Sequence, residues 1–257
     1  MKKYLAAIAA FALLAAHAEA RSLDAVRARG VLGVCAHPNA LPFSSKAGDP
    51  PGFQLELARA IAGKLGVAME PDWVVTAFQI RAANCDILLD AIDDREAQSE
   101  SHLATSQPYY RTGAALVVPA GSKIASFADL GPHTKVGVLG GSFAFMVLGR
   151  RHVGLSAFGF EDDALAGLAS HEVDAVMVTP ASAGYYNLKH PDHPVRIIGL
   201  DETDPGLAWN VAVGMVKPDD ELRAAIDAAL ASLAADGTIA RIYGRYGITL
   251  LAPKGGK

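Results

Sequence analysis

The sequence predicts an α/β protein whose strands run mainly parallel. Short apolar runs of strand length alternate with helical patterns from one end of the chain to the other, the order that builds strand-helix-strand units. Phe53, Leu57, Ile61 and Leu65 recur at four-residue spacing in FQLELARAIAGKLG, which lays one apolar stripe along a helix. The helix-then-strand order of the first half returns in the middle, where DDALAGLAS precedes VDAVMVTP.

The chain opens with Lys2 and Lys3, an apolar run from Leu5 to Ala16, and Ala18-Glu19-Ala20. That is the three-part layout of a secretory signal peptide. The apolar run is too short for a bilayer, which needs about 20 residues. Residues 1–20 are therefore read as a leader cleaved after Ala20, and no cysteine follows the cut to carry a lipid anchor. The expected location is the periplasm.

VLGVCA, from Val31, is the first strand. A Gly/Pro-rich stretch leads into the 53–65 helix, which Gly66 ends. VAMEPDWV and CDILLDAI, from Cys85, read as strands. GAALVVPAG, from Gly113, leads through SFADLG to the strand KVGVLGGS, and Ser142 is placed to cap the helix SFAFMVLGRR. WNVAVGMV, from Trp209, is a further strand. ELRAAIDAALASLAADG then lines Leu222, Ile226, Leu230 and Leu233 on one face, and a short helix follows around TIARIYGRYG.

The 257-residue chain has a net charge of −4. Without Lys2, Lys3 and Glu19 it keeps 21 basic and 26 acidic residues, so no basic excess points to nucleic acid or anionic lipid. No later stretch is long and apolar enough to enter a membrane. Two cysteines, Cys35 and Cys85, leave two readings open: one disulfide, or two buried thiols. His190 and His193 stand in HPDHP, where prolines favour a loop, and no further ligands gather around them to make a metal site. The runs Asp93-Asp94 and Glu161-Asp162-Asp163 lack calcium-loop spacing and read as solvated helix starts. Nucleophile-elbow, zinc-hydrolase, phosphate-loop and dinucleotide signatures are all absent from the sequence. The reading is a binding protein without catalytic residues or cofactor.

The order of elements resembles family 3 of the bacterial extracellular solute-binding proteins, the polar amino-acid-binding type. The strings that carry it are GVLGVCAHPNALPFSS, PPGFQLELARAIAGKLGV, CDILLDAI, SQPYYRTGAALVV, SFADLG with KVGVLGGS, ALAGLASHEVDAVMV and ADGTIARIYGRYG. CAHPNALPFSS with NCDILLDAI and QPYYRTGAALVV further resembles the subgroup found with periplasmic quinoprotein alcohol dehydrogenases, including methanol dehydrogenase. The resemblance implies a two-lobed type II periplasmic-binding fold. Residues 21–112 and 212–257 would form lobe 1, and 113–211 lobe 2 with hinge strands near 112–116 and 207–212. The family's sheet order would bring Cys35 beside Cys85, favouring the disulfide.

In such folds the ligand binds between the lobes, beside the C-terminal ends of the strands. The family's amino-acid binders clamp the ligand carboxylate with an Arg in a Thr-x-x-Arg stretch and its ammonium with an Asp five residues past the Asp of the VDA strand. Here Arg95 is the one arginine in the first stretch and stands out of register; it faces either ligand or solvent. Counting five from Asp174 reaches Thr179. Ordinary α-amino acids become poor ligands.

The remaining cleft candidates are Asn39, Phe43, Tyr109 and Tyr110 from lobe 1, and Gly141, Ser142, Phe143 and Thr179 from lobe 2. Gly140, Gly141 and Ser142 make either an anion-favouring nest of N–H groups or a tight turn with a capping serine. The aromatic candidates are either cleft or core. The resemblance implies a monomer that hands a small molecule to an ABC-type transporter. Its alternatives are an accessory protein that contacts a quinoprotein dehydrogenase, and an enzyme similar to the cyclohexadienyl dehydratases.

Overall fold

The computed structural model describes residues 21–94, 103–204 and 206–255. The leader and Arg95 lie outside them.

One sheet orders β4 (Ala68–Trp73), β1 (Val31–Ala36), β5 (Ile87–Ile92), β13 (Ala208–Val216) and β6 (Leu103–Thr105), with β7 (Tyr110–Gly113) also pairing β13. The other orders β10 (Gly154–Phe158), β9 (Lys135–Leu139), β11 (Ala175–Val178), β8 (Ala115–Pro119) and β12 (Val195–Leu200). Each sheet is parallel through its first three strands and antiparallel beyond them. The antiparallel part holds the strands next to the crossings, β7 and β13 in one sheet and β8 and β12 in the other. A short hairpin, β2 (Asn39–Ala40) with β3 (Ser44–Ser45), follows β1.

The predicted stripes find their core. Phe53, Leu57, Ile61 and Leu65 of α2 (Phe53–Leu65) pack in one cluster with Leu222, Ile226, Leu230 and Leu233 of α7 (Asp220–Ala235) and with Ile239 and Ile242 of α8 (Thr238–Gly244). In the second lobe β8 is covered on both faces, so its apolar run is unbroken. Leu116 and Val118 point to the core under α4 (Phe143–Arg150), while Ala115 and Val117 point to the core under α5 (Glu161–Ala169), as the two-residue period of a strand requires. Helices α1 (Leu23–Arg29), α3 (Ala77–Ala82) and α6 (Pro180–Lys189), and strands β6, β7, β10 and β12, add to the elements read from sequence.

The chain crosses between the sheets twice, from β7 to β8 and from β12 to β13. The crossings touch: the Ala114 N–H donates to the Leu207 carbonyl at 2.9 Å. A β-carbon on Gly113 would lie 2.1 Å from that same carbonyl oxygen, so only glycine fits.

Cys35 and Cys85 are disulfide-bonded, with α-carbons 5.3 Å apart. Cys85 sits just before β5, which begins at Ile87 rather than at the cysteine. Beside it the fully buried Asp86 accepts from the Arg29 guanidinium at 2.7 Å, the Gly33 N–H at 2.8 Å and the Arg21 guanidinium at 3.2 Å. A buried carboxylate held this way satisfies the rule that buried charge must be paired.

After α8 the chain returns to the crossing strands. The Arg111 N–H donates to the Leu251 carbonyl at 2.9 Å, and the Asn210 side chain bonds both the N–H and the carbonyl of Lys254, at 3.0 and 2.7 Å. Arg111 makes a two-pronged bond to Glu202 at 3.0 and 2.5 Å, and the Lys254 ammonium joins the same carboxylate at 3.0 Å. These two cations, Arg111 foremost, lower the Glu202 carboxyl to about 2.

Candidate functional site

The lobes meet along α6. Thr179 caps this helix, accepting from the Ser182 N–H at 3.2 Å, and Pro180 fills its first turn, a position that proline suits. Ala181 packs into the core of the first lobe, and a β-carbon on Gly184 would stand 2.3 Å from the Gly247 carbonyl oxygen. Aromatic pairs span the same boundary: Tyr185 with Tyr246 at 6.0 Å, His37 with Phe160 at 6.5 Å, and Phe143 with Trp209 at 6.4 Å.

Two carboxylates line this boundary, one from each lobe. Asp90 lies in β5 with φ of 60°. It accepts from the Tyr109 hydroxyl at 2.7 Å and the Gln54 amide at 2.9 Å, and the Tyr243 hydroxyl donates in turn to the Tyr109 oxygen at 3.3 Å. Glu161 opens α5 and turns inward. It accepts from the Ser182 hydroxyl at 2.5 Å, the Thr179 hydroxyl at 2.7 Å and the Thr179 N–H at 2.9 Å. Among the described residues neither carboxylate is bonded to a Lys or Arg.

Burial therefore raises the pKa of both carboxyls, against the pull of their hydrogen-bond donors. Burial also pushes the Tyr109, Tyr110 and Tyr243 phenols well above the ordinary value, with the Asp90 charge adding to it.

The predicted residues separate accordingly. Tyr109, Tyr110 and Thr179 join the two carboxylates. Asn39 lies exposed on β2, its N–H donating to the His37 ring at 3.1 Å, which puts it at the rim. Phe43 packs on the first core, its ring 5.2 Å from that of Phe53. Phe143 is half exposed, while Gly141 is exposed in a turn with φ of 75°. Ser142 caps α4 by accepting from the Phe145 N–H at 3.2 Å. The Gly140 and Ser142 N–H groups already donate to the Phe158 and Leu139 carbonyls, which is the turn-and-cap arrangement rather than an open nest.

Sequence reasoning missed Asp90 and read Glu161 as a solvated helix start. That reading is corrected: Asp162 and Asp163 are exposed as expected, but Glu161 faces the hydroxyls of α6. The one sequence signal was the composition of TPAS, whose Thr179 and Ser182 offer two hydroxyls three residues apart to a nearby acceptor. Among the described residues no group of His, Cys, Asp or Glu has the arrangement of a metal site.

The description "bacterial extracellular solute-binding proteins, family 3" matches residues 32–249, from β1 to beyond α8. The chain belongs to this family. It is 27% identical over 218 residues to the lysine/arginine/ornithine-binding periplasmic protein of Escherichia coli (strain K12), covering 80% of this chain and 83% of that one. An ancestral cationic amino acid solute-binding protein superposes with a TM-score of 0.75 at 24% identity, over 88% of this solute-binding protein and 99% of the ancestral one. MxaJ from Methlophaga aminisulfidivorans MPT superposes with a TM-score of 0.67 at 22% identity, over 86% and 100%. These structures share the two-lobed type II fold.

Proposed function

We propose that this family 3 protein works in the periplasm, capturing a small solute between its lobes for an ABC-type transporter, and that its solute carries no carboxylate. One observation supports this above the others: the interlobe boundary presents two half-buried carboxylates, Asp90 and Glu161, and no described arginine or lysine is bonded to them. Among the described residues, a third carboxylate brought there meets like charge with no cation bonded to offset it. A neutral hydrogen-bonding solute or an amine is favoured instead. Thr179, at the family's ammonium-binding position, is engaged by Glu161, so the usual clamp for an α-amino acid is missing at that point too. Closure of the lobes on the solute would be a hinge motion at the two touching crossings.

We infer binding rather than catalysis, because each acid is already occupied by hydroxyl and amide donors. Calorimetry with a panel of amines, polyols and α-amino acids tests the reading. Heat is expected from a member of the first two groups and none from the amino acids; micromolar affinity for glutamine or arginine overturns it.

A second reading, accessory protein of a periplasmic quinoprotein alcohol dehydrogenase, rests on the likeness of CAHPNALPFSS and QPYYRTGAALVV and on the aromatic pairs that already span the boundary. Deleting the gene and assaying alcohol-dependent growth, with a pull-down from periplasm, separates the two. Unchanged growth with loss of a solute uptake leaves the transport reading standing.

A further inference from the structure

A second concave site lies outside the interlobe boundary, where α2 packs on α8. Glu56, Arg59, Thr238, Arg241 and Arg245 line a recess of about 410 Å³ there, within the range of about 300–1,000 Å³ typical of small-molecule sites. Glu56 and Arg59 stand three apart on α2, and Arg241 and Arg245 four apart on and just after α8, spacings that put each pair on one face.

The charges in this recess do not cancel. Glu56 pairs with the Arg245 guanidinium and also accepts from the Tyr246 hydroxyl at 2.7 Å. Among the described residues Arg241 donates only to neutral acceptors, the Asp236 carbonyl at 2.9 Å and the Thr238 hydroxyl at 2.8 Å. Arg59 is exposed and makes no hydrogen bond or ion pair among the described residues; its charge is felt at the Tyr246 hydroxyl together with that of Arg245. Three arginines thus line the recess against one carboxylate, on a chain whose net charge is −4. Guanidinium forks match the oxygens of phosphate and carboxylate two at a time, and a concave wall holds a compact ion better than a flat surface does.

We infer that this recess is a binding site for a small free oxyanion bearing two or more charges, of the phosphate or dicarboxylate class, held by Arg59 and Arg241 with Arg245 at its edge. The site is independent of the interlobe solute.

Pyrophosphate is the probe, titrated calorimetrically into the full-length mature protein at low ionic strength. Binding is expected, weakened about tenfold by Arg59→Gln and again by Arg241→Gln, and weakened further as sodium chloride is added. Arg59→Gln removes no described bond, so its melting temperature without pyrophosphate should equal that of the parent, which separates loss of the site from loss of the fold. Sedimentation with phosphatidylglycerol vesicles forms the other arm: co-sedimentation without pyrophosphate binding would assign the arginines to a membrane surface and overturn the free-anion site. Silence toward pyrophosphate, or equal affinity in parent and both variants, overturns it as well.

Discussion

At the residue scale, Asp90 and Glu161 give the protein an acid-side stability. A carboxyl whose pKa is raised by folding holds its proton more tightly in the folded state than in the unfolded chain. Its contribution is therefore most favourable below the ordinary carboxylate value and is lost as pH rises through the raised one. Glu202, lowered from 4.5 to about 2, acts in the opposite sense, giving stability that is present above the ordinary carboxylate value and lost as pH falls from there through about 2. The urea midpoint should accordingly be higher near about pH 5 than at about pH 7.5. Replacing both acids, as Asp90→Asn with Glu161→Gln, should remove that difference while the Thr179 and Tyr109 donors keep an acceptor. An unchanged pH slope in the double variant would show that the acids are not the source.

At the element scale, α6 fastens one lobe to the other, and Gly184 sets how closely. Gly184→Ala would place a methyl group 2.3 Å from the Gly247 carbonyl oxygen, a backbone atom that cannot swing away. The helix must then withdraw from the first lobe. A loss of about 1–3 kcal/mol is expected from urea denaturation, with a larger radius of gyration in X-ray scattering; a variant as compact and as stable as the parent would contradict this account. This helix also shows what was legible beforehand. The stripes of α2 and α7 were plain because four apolar residues at helical spacing have few other uses, and the strands were plain as apolar runs. PASAGYYNLK has no such stripe, since it is buried through small residues against two lobes at once, and it went unread despite Thr179 and Pro180 at its start. Asp90 was hidden for a similar reason: CDILLDAI reads as a strand, and only the tertiary fold brings Gln54 and Tyr109 to Asp90.

At the scale of the whole molecule, the Cys35–Cys85 bond closes a loop with a sequence separation of 50. Restricting the unfolded chain over that length contributes about 4 kcal/mol in the loop-entropy picture. Reduction with a thiol should lower the urea midpoint by a corresponding amount, and the denatured, unreduced chain should show no titratable thiol; two thiols per chain would refute the bond. The two lobes were legible through the order of elements, but the last turn of the chain was not. Residues 251–254 lie across the crossing strands and meet, at Glu202, the loop that leads out of the second lobe. The carboxyl end is thereby a handle on the hinge. A fluorescent protein fused there would be turned by any swing of that loop, so this end is a place to attach an optical reporter of lobe motion.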